Sequence, residues 1–391
     1  MSLNTQMGRY QRSRDLELWL QAVFPGGCGI CRLGYCYLAA IVLRRHRDSN
    51  DIFATRRHIH EMLYGYLPAV ITGFLLTAVP NWTGRLPLRG GGLAALVGVW
   101  LAGRIAICLS ATIGPLAAGA TDTAFLLLVA AAAAREVTAA RNWRNLVTIV
   151  IVVVLFAGNV TFHIEDYEGG AAPLGTRLGI AAVIALISLI GGRVVPSFTR
   201  NWLVRENPGR LPVPFGQFDR AVLVLSVLAL ALWIALPQWT VTAALLLIAG
   251  VAQAVRLGRW AGDRTMRDML VLVLHVGYAF LPLGFLLLAA AIFFPQRIPV
   301  SGGIPAWTVG AVGVMTLAIM TRASLGHTGW PLYAGRLTQA IYAFVVMAAL
   351  VRIAAAFGED LAVSLLLIAG GLWIAGFWLF VIGYGPLLFG V

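Results

Sequence analysis

Lysine is absent from this chain: all 29 of its Lys/Arg positions are arginine. Charge of either sign is scarce, at 12% of residues, about half the share of an ordinary soluble protein. Two or three soluble domains of this total length would need far more charged surface. Cysteine is too sparse for a disulfide framework, with Cys28, Cys31, Cys36 and Cys108 only. Cys28-Gly-Ile-Cys31 has CxxC spacing, but a lone pair reads as ordinary thiols. There is no glycine-rich nucleotide loop, no low-complexity segment and no repeat among the apolar runs. The first apolar stretch lacks a small-residue cleavage site, so no cleavable signal is expected.

Hydrophobic residues make up 60% of the chain, with mean hydropathy +0.84. Long uncharged runs alternate with short basic connections. This pattern predicts an all-α polytopic transmembrane bundle of about twelve helices in a lipid bilayer. The expected spans are 62–81, 93–112, 115–134, 145–163, 174–192, 219–236, 240–258, 269–293, 305–321, 338–357 and 361–381, after a weaker, short candidate at Gly29–Leu43.

The net charge of +13 does not imply nucleic-acid binding. The arginines cluster in every second connection, including Arg135–Arg144, Arg193–Arg220 and Arg256–Arg267, as cytoplasmic loops do. The alternate connections are neutral or acidic, as at Glu165-Asp166-Tyr167-Glu168. Arg44-Arg45-His46-Arg47 and Arg56-Arg57 break the scheme, being basic where the outer face is expected. Trp82, Trp143, Trp202, Trp239 and Trp260 stand near span ends, as interfacial aromatics do.

Ionisable groups inside a span are costly and require a partner or a purpose. Arg104 and Asp122 each lie nine positions from a hairpin centre near Ile113. Equal helical rise brings them to one depth, so a buried pair is expected, as structural glue or as a functional group. Arg104 could alternatively hold a carboxylate on a cofactor.

The histidines are the sharper signal. In His58-Ile-His60-Glu61-Met62, an α-helix puts His58 on one face with Glu61 and Met62. His60 would then point away unless the helix begins later. Imidazole, carboxylate and thioether so close together form a plausible metal-ligand set; a solvated helix start is the plain alternative. His163, with Asn159 one turn earlier, ends its span on the same outer side. His275 sits among apolar neighbours, either as a neutral core histidine or as a haem axial ligand. His327, in Ser324-Leu-Gly-His327, reads as part of a cytoplasmic loop.

Several longer stretches closely resemble the NnrS family, polytopic bacterial membrane proteins linked to the nitric oxide response. They are His58-Ile-His-Glu-Met-Leu-Tyr-Gly65, Gly73 through Gly84, Trp100-Leu-Ala-Gly-Arg104, Asn142-Trp-Arg-Asn145, Asn159-Val-Thr-Phe-His163, Gly191 through Trp202, Leu274-His-Val-Gly-Tyr278 and Met320 through Gly329. The resemblance runs from about residue 56 to the C-terminus, leaving residues 1–55 as a divergent leader and 56–391 as the NnrS-like domain. It implies haem and copper as cofactors, nitric oxide as the small ligand, and a place in the bacterial inner membrane in denitrification or nitrosative stress. His58, His60, His163, His275 and His327 are then the metal-ligand candidates, supported by Glu61, Met62, Arg104, Asp122 and Asn159. One departure is Pro305, where the family usually has a His before Ala-Trp-Thr-Val-Gly. The rival readings are a transporter coupled through Arg104 and Asp122 and a cofactor-free structural membrane protein.

Overall fold

The computed structural model describes residues 49–85, 88–358 and 360–389. Among these, all regular structure is helical. Eleven helices are long and apolar enough to cross a membrane: α1 Thr55–Thr83, α2 Gly91–Cys108, α3 Pro115–Ala139, α4 Trp143–Tyr167, α5 Pro173–Glu206, α6 Gln217–Ala235, α7 Thr240–Arg264, α8 Met269–Phe293, α9 Val300–Thr328, α10 Arg336–Ala354 and α11 Ala362–Leu388. They correspond one to one with the eleven stronger spans. The weaker Gly29–Leu43 candidate and the Arg44–Arg47 cluster lie outside the described residues.

The architecture follows from a solvent that offers no hydrogen bonds, so each spanning backbone must satisfy itself. Left-handed Gly84 (φ 69°) and Gly329 (φ 77°) stop α1 and α9. Asp268 caps α8, accepting from the amides of Leu270 at 2.9 Å and Val271 at 3.3 Å. Burial nevertheless pushes the Asp268 carboxyl above its ordinary range. Three spans contain π-helical turns, at Glu61–Tyr66, Ile187–Gly191 and Ala306–Val314. Such turns reset the helical register and often mark functional positions.

The described residues divide into two compact units, those up to 182 with 385–389 and those of 183–384, with α5 contributing to both. In the first unit α3 is the hub, packing against α1, α2 and α4. Trp100 on α2 is buried and donates to the Gly65 carbonyl at 2.9 Å. The Tyr64 hydroxyl donates to the Gly175 carbonyl at 2.6 Å.

In the second unit α8 lies against α7 and the π segment of α9. Its core holds Trp307 between Phe285 and Trp233, with ring centroids 4.9 and 5.4 Å away. A polar network crosses this apolar core. The fully buried Arg256 donates to Asp219 Oδ1 (3.0 Å), the Ser188 carbonyl (2.9 Å) and the Tyr278 hydroxyl (3.1 Å). Tyr278 donates to Gln253 (2.7 Å), whose amide reaches the Ser188 and Ser226 hydroxyls.

Four sequence expectations need correction. Arg256, expected both at the end of the 240–258 span and in the Arg256–Arg267 connection, lies in the last turn of the Thr240–Gly258 helix, where Asp219 and two uncharged acceptors engage it. Trp260 is buried, not interfacial, standing edge-on to Tyr278 at 4.6 Å and 5.3 Å from the Arg256 guanidinium; Trp143 and Trp239 are exposed. His327 lies in the last turn of α9, because that helix runs on to Thr328. Arg56, whose charge breaks the expected alternation, is balanced by the acidic connection after α4, bonding Asp166 at 2.7 Å and the Gly170 carbonyl at 2.8 Å.

Removing one partner of a buried ion pair strands the other, at about 3–5 kcal/mol, whereas exposed pairs contribute about 0–1 kcal/mol. Asp219→Ala is therefore expected to lower the thermal unfolding midpoint in detergent strongly. Asp263→Ala, which breaks the exposed pair with Arg210, should change it little. Equal losses would contradict the structural weight given to Arg256.

Candidate metal centre

The densest group of ionisable side chains in the first unit surrounds Asp122 on α3. Its side chain is fully enclosed. Oδ1 meets the Arg104 guanidinium from α2, as the hairpin symmetry predicts. Oδ2 receives His163 Nε2 at 3.0 Å, His60 Nε2 at 3.2 Å and the Asn159 amide nitrogen at 2.9 Å. The Asn159 oxygen lies 3.2 Å from the same His60 nitrogen. One carboxylate thus joins α1, α2, α3 and α4.

Glu61 completes the charge pattern. Its Oε1 accepts from Arg104 at 2.7 Å and lies 3.4 Å from His60 Nδ1. The cluster holds two carboxylates, one guanidinium and two imidazoles. With the imidazoles neutral, one negative charge remains in excess. That surplus favours a cation.

The close approach of these groups depends on residues without side chains. A Cβ at Gly65 would collide with Arg104 and Glu61, and a Cβ at Gly119 would stand 3.1 Å from the His163 ring. His60 is enclosed by Tyr64, Phe162 and His163, with ring centroids 5.7, 5.3 and 4.8 Å away.

Of the two neighbouring imidazoles, His60 is the one that meets Asp122. The chain is already helical from Ser49, and the turn after His60 widens into the π segment. Helical neighbours are about 100° apart, so His60 and Glu61 flank one groove and reach different partners across it. His58 is half-buried two residues earlier, and Met62 is half-buried within the π segment. Among the described residues, the converging ligand group is His60, Asp122 and His163, with donor atoms all within 4.8 Å of one another.

Metal–ligand bonds of about 2.0–2.2 Å place neighbouring donor atoms roughly 3–3.5 Å apart. The 3.0 and 3.2 Å separations to Asp122 Oδ2 match that edge length. Two imidazoles and a carboxylate suit a first-row transition ion. Were a metal held through Nε2, the His60 proton would sit on Nδ1, 3.4 Å from Glu61 Oε1, the usual support for a ligating imidazole.

His275 and His327 belong to the second unit. The buried His275 places Nε2 2.8 Å from the Thr199 hydroxyl, and a Cβ at Gly262 would stand 2.5 Å from Nδ1. Both ring nitrogens face protein, so axial ligation of haem does not fit His275 as it stands. His327 is half-buried at its helix end.

The sequence model of the family described as NnrS protein matches residues 22–391, nearly the whole chain. It therefore begins ahead of residue 56, where the recognisable motifs start. No curated protein matches the chain.

Arg104→Met would strand Asp122 and Glu61 in the bundle, an expected loss of about 3–5 kcal/mol. Adding Asp122→Asn removes one stranded charge, so the double variant should be less destabilised than the sum of the single changes, by about 0.5–3 kcal/mol. Strict additivity in detergent unfolding would contradict the coupling.

Proposed function

The chain belongs to the NnrS family of membrane proteins of the nitric oxide response, and on that premise we propose that it holds a copper ion on His60, His163 and Asp122 and uses it in handling nitric oxide. The observation that carries this reading is the meeting of two imidazole nitrogens on one buried carboxylate oxygen, at 3.0 and 3.2 Å. Copper accepts imidazole ligands readily and follows from the family resemblance. A bound copper ion supplies a redox-active centre with affinity for a small neutral gas.

The protein's own groups do the rest. Asp122 supplies charge and holds both rings. Arg104 limits the negative excess and ties Asp122 to Glu61. Asn159 orients the carboxylate from α4, and Glu61 fixes the His60 tautomer. Phe162, Tyr64 and the apolar walls keep water sparse, and a neutral gas reaches such a site through lipid and protein without a polar channel. Under this reading the protein resides in the bacterial inner membrane and acts in resistance to nitrosative stress.

A structural reading has one observation in its favour: Asp122 Oδ2 is saturated by protein donors. Metal analysis separates the two. Protein purified from copper-supplied cells should carry copper at fixed stoichiometry, with a spectroscopic signal that changes on adding nitric oxide. His60→Ala, His163→Ala and Asp122→Ala should lose at least about tenfold in copper affinity, and His327→Ala should keep it. A folded wild-type protein without copper would leave Asp122 as a clasp between helices and refute the proposal.

A further inference from the structure

A second site lies in the first unit, between α1, α2 and α3, with the loop before α2 at its edge. It is a cavity of ≈ 180 Å³. Leu75, Val79, Leu96, Val129 and Ala133 form apolar walls, and Arg89, Arg135 and Glu136 line its charged rim. Glu136 is held by two arginines, bonding Arg85 at 2.5 Å and Arg135 at 2.8 Å. The rim therefore carries two guanidiniums against one carboxylate, and a third guanidinium, that of Arg85, is bonded to that carboxylate. Arg85 and Arg135 remain largely exposed beyond this pairing. In one wall, Pro80 offers no N–H to the Leu76 carbonyl.

Apolar walls under a rim of excess positive charge match an amphiphile with an acyl chain and an anionic head. The rim joins the end of α1, the start of α2 and the end of α3, which successive crossings place on one membrane side. Its arginine-rich connections assign that side to the cytoplasm, where basic pockets among spanning helices engage anionic phospholipid headgroups. We propose that this cleft is a specific site for an anionic phospholipid, with one acyl chain between α1, α2 and α3 and the phosphate on Arg89 and Arg135. A zwitterionic lipid would present its amine to guanidiniums and is disfavoured. The site shares no residue with the cluster around Asp122, so either assignment can fail without the other.

The test is native mass spectrometry of the full chain released from bilayers holding equal phosphatidylglycerol and phosphatidylethanolamine. Wild-type protein should retain phosphatidylglycerol selectively. Arg89→Ser with Arg135→Ser should reduce that adduct about tenfold or more. Ala133→Phe, which fills the cleft and keeps every arginine, should reduce it as well. Unchanged thermal unfolding of each variant would show that folding is intact, and where one variant fails to fold the other carries the test. Equal retention of the two lipids would overturn the proposal, as would full retention by folded Ala133→Phe or a neutral lipid in place of the anionic one.

Discussion

Asp122 is a carboxylate with no access to water, in a bundle whose surroundings are hydrocarbon. An unpaired charge there would cost several kcal/mol, and the first unit is organised to prevent that. Arg104 takes one oxygen, and His60, His163 and Asn159 converge on the other. These partners come from the three neighbouring helices α1, α2 and α4, so the contact that satisfies the charge also sets how α1 to α4 face one another. The glycines at 65 and 119 follow from the same constraint, since side chains there would occupy the space of Arg104 and His163. Groups held this closely around one oxygen are arranged for an ion as much as for protons.

The second unit repeats part of the device. Asp219 on α6 pairs with Arg256 on α7, and a Cβ at Gly192, just after the π segment of α5, would strike that guanidinium. Gly65 plays the corresponding part for Arg104, inside the π segment of α1. The difference lies in what completes each cluster. Around Arg256 the further partners are Tyr278, Gln253 and two serines, which form a closed polar clasp. Around Arg104 they are imidazoles and a second carboxylate, which bind metals. Two similar solutions to charge burial thus differ in chemical capacity.

The eleven described spans were legible because apolar runs of about twenty residues with at most two charged groups have one physical outcome in lipid. The Arg104–Asp122 pair was legible for a geometric reason, being symmetric about a short hairpin. The inward direction of His60 was hidden, because periodicity assigns one residue to a face and cannot show a groove wide enough for two neighbours, nor a π turn. The Arg256 network was hidden because a basic residue near a span end reads as a loop residue until its partner is known. Asp219 was its one visible signal, an acid at the start of a span opposite an arginine at the end of the next. For His275 the sequence left a core histidine and a haem ligand as alternatives, and its Nε2 lies 2.8 Å from the Thr199 hydroxyl of another helix.

The most direct test of the account is anomalous diffraction at the copper edge from crystals of the copper-loaded protein. The account predicts one peak within bonding distance of His60 Nε2, His163 Nε2 and an Asp122 oxygen, with Arg104 still beside the carboxylate. A peak elsewhere, with both imidazoles still hydrogen-bonded to Asp122, would contradict it.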